Sequence, residues 1–341
     1  MGKFERGEAE KLEKDVVDLL NSRGVQAPHI CSQRVSKRIR EDFDVRRAEF
    51  IGRTYSEPGN IKLFLADGRV AYIELKLVES GKGTRANLGQ NALTEFGLFE
   101  GDVVLSWQEF RRRKNFDGEV LKRLNTYSYY DKVKLSKYRG GEKERKARYL
   151  RDILRPKPGE AVETAVRRAM NSQDPALKQA AKIVEEILEL ARVDKLEYIE
   201  YLRSLRQDPK SIKRFTILIL LGIHKEDNLR KAFREFDQLI KSLKEELFVY
   251  RTYYIRKRDC EICAEDLTTL ISKLLRSSDF RITFPPNETC CVIEYRDPDS
   301  GAWEKLLRVV FHWKNVFQGI ATPCLNIFDE GVLKETCFSS R

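Results

Sequence analysis

The sequence predicts a mixed α/β (α+β) fold in which a central mixed sheet is flanked by helices. Three observations support this fold class. Residues 61–77 have the pattern of a β-hairpin, residues 161–250 carry amphipathic helical patterns, and strand-like runs return between residues 280 and 312. We therefore expect a helical insertion and a C-terminal β region after the first sheet-forming segment.

The chain has 341 residues, a length that suits one large domain or two modest ones. Charged residues make up 34% and hydrophobic residues 41%, which excludes an intrinsically disordered chain. Pro156-Lys157-Pro158-Gly159 is the strongest boundary signal. We expect a core at 1–155, a helical region at 156–257 and a mixed region with a β-hairpin at 258–341.

The hairpin is predicted by two apolar runs, 61–65 and 70–77, on either side of Asp67-Gly68. An Asp-Gly pair between strand-like runs is a strong hairpin signal. The second run is apolar except for Glu74 and Lys76. Because residues two apart on a strand share a face, these two charges stand side by side, either as a paired surface ladder or as a site.

The hairpin resembles the PD-(D/E)xK nuclease superfamily, best known from type II restriction endonucleases. In that superfamily one strand begins at an acidic residue and the next ends near Glu-x-Lys, which Glu74-Leu75-Lys76 matches. The resemblance covers roughly the first third of the chain. It implies a restriction-endonuclease-like core, a Mg²⁺ ion bound by Glu74, and a Lys76 that holds or helps to deprotonate the attacking water.

Asn60 departs from this pattern, because it stands where the superfamily carries an acid, just before the first strand. As a catalytic residue and metal ligand it offers one neutral carbonyl oxygen. Three explanations stay open. Another acid fills in, or an aspartate was deliberately replaced to trap substrate, or the site binds without cleaving. The candidate acids are Glu57, Asp44 and, from the N-terminal helix, Glu8, Glu10 and Glu13.

Two segments precede the hairpin. Leu12, Val16 and Leu19 predict an amphipathic helix over 8–21 that ends before Gly24. Residues 32–47 are rich in arginine. They either meet phosphates or form an exposed helix with internal ion pairs.

The glycine-rich segment 80–95 follows the hairpin and is expected to lead into a helix. Its donors suit a phosphate at a helix start, although the spacing is not that of a P-loop. The candidate DNA-binding residues are Lys82, Thr84, Arg85, Asn87 and Gln90, with Gln90 and Glu95 facing the site. The alternative is a flexible connector.

Residues 103–107 are predicted to form a core strand, and a basic tract with interleaved tyrosines follows at 111–148. Basic residues between aromatic ones are typical of a nucleic-acid groove, and a solvated charged face is the alternative. The candidate DNA-binding residues of this tract are Arg111, Arg112, Arg113 and Lys134.

The helical region is predicted to hold helices at 161–170, 176–192 and 196–206, and a long amphipathic helix at 228–250. The apolar run 212–221 is either a buried strand or a helix, since periodicity does not separate the two.

Strands are predicted at 280–284, 290–295 and 306–312. They are followed by a group of hydrogen-bonding side chains suited to base edges in the major groove. These candidate base-reading residues are His312, Lys314, Asn315 and Gln318. A packed histidine at a strand end is the alternative for His312.

Seven cysteines, an odd number without regular spacing, are expected to be reduced thiols in a cytoplasmic protein. Cys260 and Cys263 form a lone Cys-x-x-Cys, for which zinc would need further ligands such as Cys290 and Cys291. No apolar run has the length of a membrane span, and no secretory signal is expected.

The net charge completes the functional prediction. Lys and Arg number 64 against 53 Asp and Glu, a net charge of +11 that favours a polyanionic partner. With the resemblance, this predicts a Mg²⁺-dependent type II restriction endonuclease that cleaves double-stranded DNA as a homodimer. The alternatives are a repair or structure-specific nuclease of the same superfamily, or a DNA-binding protein that does not cleave.

Overall fold

The computed structural model of the protein describes residues 3–52, 57–79, 82–157, 160–314 and 322–333. Within these residues the predicted mixed α/β class is confirmed. Helices and strands are both abundant, and the strands form two five-stranded sheets and one two-stranded ribbon.

The helices, in chain order, are α1 (Lys3–Leu20), α2 (Ser32–Asp42), α3 (Ala92–Glu95), α4 (Trp107–Arg113), α5 (Phe116–Asn125), α6 (Lys132–Ser136), α7 (Glu142–Leu154), α8 (Val162–Met170), α9 (Pro175–Arg203), α10 (Pro209–Leu220), α11 (Glu226–Arg234), α12 (Phe236–Glu245) and α13 (Thr268–Arg276). The strands are β1 (Val45–Phe50), β2 (Ile61–Leu65), β3 (Val70–Val78), β4 (Ala86–Gly89), β5 (Phe99–Glu100), β6 (Arg206–Gln207), β7 (Val249–Arg256), β8 (Ile262–Asp266), β9 (Phe280–Thr283), β10 (Cys290–Arg296), β11 (Trp303–Lys314) and β12 (Thr322–Asp329).

The first sheet is mixed and has the order β1-β2-β3-β7-β8. Its pairs are antiparallel except for β3 and β7, which run parallel. The β2–β3 pair is the predicted hairpin. Leu65 and Arg69 close its turn through a backbone hydrogen bond of 3.0 Å, and Gly68 adopts the positive φ of +85° that the turn requires.

The second sheet is antiparallel throughout and has the order β4-β12-β11-β10-β9. Its edge strand β4 comes from the first third of the chain, whereas the first sheet takes β7 and β8 from beyond residue 248. The expected boundaries near residues 155 and 257 therefore do not separate the two sheets.

Strand β3 divides the core into two layers. Ala71, Ile73 and Leu75 pack into the cluster that also contains the apolar faces of α1 and α2. Val70 and Tyr72 belong to the larger cluster that includes the helices and the second sheet. By alternation, Glu74 and Lys76 lie on the side of that larger cluster, between the sheets.

Several predicted elements are different in the structure, each for a local reason. The strand expected at 103–107 does not form, because Ser106 and Glu109 make a capping box that starts α4. The ambiguous run 212–221 lies in helix α10, which Asp208 and Pro209 initiate. The helices expected at 176–192 and 196–206 are the single helix α9.

The long helix expected at 228–250 is wrong at its C-terminal end, and this error matters more. The segment forms α11 and α12, and the chain then enters strand β7 at Val249. Residues 45–47, the end of the arginine-rich segment, begin strand β1 (Val45–Phe50). Both strands belong to the first sheet.

The expectation that the cysteines are reduced thiols is met by Cys290, Cys291 and Cys324, which are buried thiols, and is wrong for three others. Cys31 at the start of α2 and Cys260 in the β7–β8 turn form a disulfide, with a Cα–Cα distance of 5.2 Å. Cys263 is disulfide-bonded as well, so the Cys-x-x-Cys pair does not provide two thiolates for zinc. No helix in the described ranges is both long and apolar enough to cross a membrane.

The Cys31–Cys260 bond links residues 229 apart and should stabilise the packing of α2 on the first sheet. We expect the Cys31→Ala/Cys260→Ala double variant to lose about 2–4 kcal/mol of unfolding free energy in urea titrations. Peptide mapping of alkylated, non-reduced protein should recover the Cys31 and Cys260 peptides as one cross-linked species. Recovery of both as alkylated thiols would contradict the bond.

Candidate active site

Glu74 is the most deeply placed carboxylate of the hairpin, with only 4% of its surface exposed. Its Oε2 accepts a hydrogen bond of 2.7 Å from the Tyr250 hydroxyl on β7. Its Oε1 lies 3.3 Å from Lys76 Nζ. Burial acts to raise the pKa of Glu74, but Lys76 and the Tyr250 hydrogen bond outweigh it and lower the pKa, so that the carboxylate is ionised.

Lys76 completes the pair on the same face of β3. Its Nζ also donates a hydrogen bond of 2.9 Å to the backbone carbonyl of Arg85, just before β4. Burial lowers the pKa of Lys76 and the nearby Arg85 charge adds to the effect, against the opposing influence of Glu74. The prediction that Glu74 and Lys76 stand side by side is therefore met, and they form a buried pair between the sheets.

The loop that follows α10 closes over this pair. Gly222 has a positive φ of +75°, and a Cβ atom there would lie 2.7 Å from Glu74 Oε2 and 3.0 Å from the Tyr250 hydroxyl. Gly59, also with a positive φ, donates its backbone N–H to the Leu221 carbonyl over 3.0 Å. Both glycines allow a close approach that a side chain would prevent.

Asn60 lies where the sequence predicts it, at the start of β2 beside β3. Its side-chain Oδ1 accepts a hydrogen bond of 3.1 Å from the Leu75 backbone N–H, and its own N–H donates to the Ile73 carbonyl over 2.7 Å. Asn60 therefore fastens β2 to the part of β3 that carries Glu74. One lone pair of Oδ1 is used in this way, which leaves the second for another partner.

A cavity of about 790 Å³ opens beside these residues, and we call it the acidic cavity. It is lined by Ala9, Glu10, Glu13, Phe50, Gly52, Asn60, Asn87, His224, Lys225 and Glu226. Glu74 and Lys76 do not line it. Glu13 and His224 do, and both lie close enough to Glu74 for the charge of Glu74 to affect their pKa values.

Glu13 is the acid of α1 that reaches this site. It is 7% exposed, and burial together with the negative charges of Glu74 and Glu10 raises its pKa to about 8. A carboxyl group whose pKa is raised by burial beside an ionised carboxylate is a site that a proton or a metal cation stabilises.

The other acids considered for the place of Asn60 are positioned elsewhere. Glu57 forms a 2.6 Å ion pair with Lys62, and Glu8 lies 3.9 Å from Lys257. The Asp44 carbonyl bonds to the Ala66 N–H, at the turn end of the hairpin and so away from Asn60. None of the three lines the acidic cavity.

The donor set suits a hard cation to a limited extent. Mg²⁺ is commonly bound by one or two carboxylates, with water and phosphate oxygens in the other positions. Glu13 and Glu74 supply two carboxylates, and Asn60 supplies an amide oxygen. Among the described residues, no group of three or more His, Cys, Asp or Glu side chains is arranged to hold a metal ion.

The glycine-rich segment does not start a helix directly. It continues into β4, and the expected phosphate contacts from Lys82 and Arg85 do not fit their surroundings. Lys82 pairs with Glu265 at 2.5 Å. Arg85 is 3% exposed, with its Nη2 2.8 Å from Asp329 and 2.9 Å from Glu265.

The rest of that segment is partly available. Asn87 is exposed and lines the acidic cavity, while Thr84 and Gln90 are half-buried. The side-chain oxygen of Gln90 is buried and has no hydrogen-bond partner in the described chain. Glu95 pairs with Arg230 and does not line the acidic cavity.

The basic tract divides into core and surface. Arg111 is 8% exposed and packs over the Phe116 ring, 4.6 Å from its centre, which does not suit a phosphate contact. Arg112, Arg113 and Lys134 are exposed as expected. The tyrosines are mainly core residues, since Tyr127 and Tyr149 are buried and pack against Tyr130.

Two of the predicted base-reading residues, His312 and Lys314, lie at the end of β11. His312 is exposed and is paired in register with Cys324, which is paired in turn with Gly89. Two strand spacings place His312 about 10 Å from Gly89. Lys314 is the last residue of β11, and Asn315 and Gln318 lie outside the described residues.

Two residues of the site, Tyr250 and His224, are not predicted from the sequence. Tyr250 falls within the predicted helix 228–250, and the signal that favours strand β7 instead is the aromatic run Tyr250 to Tyr254. His224 follows α10 and lines the acidic cavity. Its Nδ1 is buried without a hydrogen-bond partner among the described residues, and burial lowers its pKa, so the ring is neutral at neutral pH.

No protein-family model, no curated protein and no solved structure matches this chain. The residues of the site are therefore interpreted from their own geometry.

The raised pKa of Glu13 predicts a pH dependence of stability. A carboxyl whose pKa is about 4.5 unfolded and about 8 folded holds its proton only in the folded state between these values, so stability falls as pH rises from about 4.5 to about 8 and levels off above that. Glu13→Gln should abolish this loss, whose slope is at most about 1.4 kcal/mol per pH unit.

The measurement is urea unfolding in EDTA between pH 5 and pH 9. The exposed Glu41→Gln is the matched control and should keep the wild-type pH dependence. If Glu13→Gln and wild type show parallel pH dependence, the Glu13 proton is not coupled to folding.

Proposed function

We propose that the chain is a divalent-cation-dependent endonuclease that hydrolyses phosphodiester bonds of double-stranded DNA, and specifically a type II restriction endonuclease. The observation that carries the proposal is that Glu13 of α1 and Asn60 line the acidic cavity, while the buried Glu74–Lys76 pair of β3 lies next to them without lining it. The resemblance of this hairpin to the PD-(D/E)xK pattern and the net charge of +11 support it.

Mg²⁺ is the proposed cation, and Glu13 and Glu74 are the residues that would hold it, with Asn60 as a weaker oxygen donor. When bound, Mg²⁺ supplies positive charge at the phosphate oxygens and lowers the pKa of water. Glu13, whose pKa is raised to about 8 by burial and by the charges of Glu74 and Glu10, would have to give up its proton to hold the cation.

Lys76 is the proposed general base or water-holding residue. A lysine whose pKa is lowered by burial is neutral more often than a solvated one, and only the neutral amine can accept a proton from water. Its Nζ is oriented by Glu74 and by the Arg85 carbonyl. His224, neutral and at the cavity wall, is placed to donate a hydrogen bond to a phosphate oxygen.

DNA contacts are proposed for two surfaces. Exposed residues of the basic tract, including Arg112, Arg113 and Lys134, suit phosphates. The end of β11 suits base edges, since the strand register brings His312 near Gly89, whose N–H bonds to the cavity residue Glu226. A homodimer is proposed because twofold DNA sites match twofold proteins.

One observation favours a second candidate, a DNA-binding protein that does not cleave. Glu74 and Lys76 are buried and paired with each other, and the Asn60 oxygen is engaged by the backbone of Leu75. Incubation of plasmid with Mg²⁺ separates the candidates. Discrete fragments support a restriction enzyme, a smear supports a nonspecific nuclease, and intact but retarded plasmid supports the binder.

Cleavage should depend on the Glu74–Lys76 pair. We expect Glu74→Gln and Lys76→Gln each to abolish plasmid cutting, while DNA affinity in EDTA stays within roughly tenfold of wild type, about 1.4 kcal/mol. Arg69→Gln in the exposed hairpin turn is the control and should cut normally. Circular dichroism checks that each variant is folded, and full activity of a folded Glu74→Gln protein would exclude the hairpin as the catalytic site.

Asn60→Asp tests the departure from the superfamily pattern. A carboxylate binds a hard cation better than an amide and still accepts the Leu75 N–H, so Mg²⁺-dependent cleavage should rise or stay high. The measurement is the cleavage rate over a Mg²⁺ titration, with Asn87→Asp on the same cavity as control. A lower rate in Asn60→Asp would show that Asn60 does not stand in for a metal ligand and would leave Glu13 as the better candidate.

A further inference from the structure

A second concave surface lies between α10 and α12, and we call it the α10–α12 groove. Its volume is about 640 Å³. It is lined by Lys210, Lys213, Arg214, Phe236, Asp237, Ile240, Lys241, Lys244, Glu245 and Leu275. Five of these side chains are basic and two are acidic, and none belongs to the acidic cavity or to the basic tract.

The positive charge of the groove is only partly compensated. Arg214 pairs with Asp237 at 2.9 Å, and Lys241 lies 3.9 Å from Glu245. In the described parts of the chain, no carboxylate lies within ion-pair distance of Lys210, Lys213 or Lys244. Three ammonium groups thus remain at one concave surface without a counter-charge.

Backbone hydrogen bonds hold the ammonium group of Lys213 in its place at the groove. Its Nζ donates to the carbonyls of Leu275 and Ser277, at 2.7 and 2.8 Å, which fixes its position at the end of α13. Burial and the charge of Lys244 lower its pKa. An anion in the groove would relieve the repulsion between the two ammonium groups.

The groove is connected to the candidate active site through both of its walls. Helix α10 begins at the groove, is about 18 Å long at 1.5 Å per residue, and leads into the Gly222–His224 loop. At the other wall, Glu246 directly after α12 accepts a hydrogen bond from the Tyr72 hydroxyl of β3 and pairs with Lys62 of β2 at 3.1 Å. Both walls therefore connect to the hairpin that carries Glu74.

We infer that the α10–α12 groove binds the phosphate backbone of double-stranded DNA at a place distinct from the candidate active site. The inference rests on the proposed function only in taking duplex DNA as the partner. It adds a phosphate-binding surface in which Lys210, Lys213 and Lys244 hold the duplex on the side of the helical region.

The test is fluorescence anisotropy of the full chain with a 30-base-pair duplex in EDTA, over a series of salt concentrations. We expect Lys210→Gln/Lys244→Gln to lower the salt slope by about two units, since each phosphate-contacting lysine contributes about one. Lys210→Arg/Lys244→Arg should restore the slope. Lys178→Gln/Lys182→Gln, the same charge change on exposed positions of α9, should leave it unaltered.

The outcomes separate this inference from the proposed function. A wild-type slope in Lys210→Gln/Lys244→Gln overturns the groove, as does an equal loss in the α9 control or the absence of duplex binding by wild type. If that variant loses two units of slope but no protein cuts plasmid with Mg²⁺, the groove stands and the nuclease fails. If plasmid is cut and the slope is unaltered, the nuclease stands and the groove fails.

Discussion

The site depends on the burial of an ionised carboxylate between two sheets. A buried carboxylate costs several kcal/mol in lost hydration unless charged and hydrogen-bonding partners replace the water. Glu74 obtains these from Lys76 on its own strand and from Tyr250 on the parallel neighbour β7. The partners come from segments 174 or more residues apart, so the first sheet has to be assembled before Glu74 is satisfied. The same packing requires a glycine at position 222, because the Glu74 carboxylate leaves no room there for a Cβ atom.

The features that the sequence predicts well are those with local causes. Asp67-Gly68 and the flanking apolar runs determine the hairpin, and the two-residue period places Glu74 beside Lys76. In contrast, the strand β7 that pairs with β3 lies about 170 residues further along the chain. The aromatic run from Tyr250 continues the amphipathic pattern of α12, and only the parallel pairing with β3 makes it a strand. Arg85 differs from its prediction for a related reason. The sequence around it predicts a surface cation, but its ion-pair partners Glu265 and Asp329 lie more than 170 residues away in the chain.

The sequence predicts that an acid of α1 contributes to the site but does not determine which one. Glu8, Glu10 and Glu13 are all candidates for the acid that the PD-(D/E)xK pattern would place at Asn60. Helical periodicity alone puts Glu13 next to the apolar face, but the packing of α1 on the first sheet decides that it, and not Glu8, is buried beside Gly52 and Glu74. Asn60 has instead taken on a backbone role by bonding to Leu75. Glu13 thus supplies a carboxyl group at the acidic cavity, and Asn60 fastens β2 to β3.

If the proposed function holds, the charge distribution constrains how DNA and a cation would bind together. The chain carries a net charge of +11, yet the acidic cavity is lined by Glu10, Glu13 and Glu226, with Glu74 close by. A phosphate that enters this cavity meets negative charge, so the basic surfaces attract the duplex while the cavity itself repels it. A cation bound between Glu13 and Glu74 would reverse that repulsion. Because linkage is reciprocal, a cation that raises DNA affinity must itself bind more tightly when DNA is present. The same carboxylates that make the empty site unfavourable for phosphate therefore make the cation and the duplex cooperative ligands.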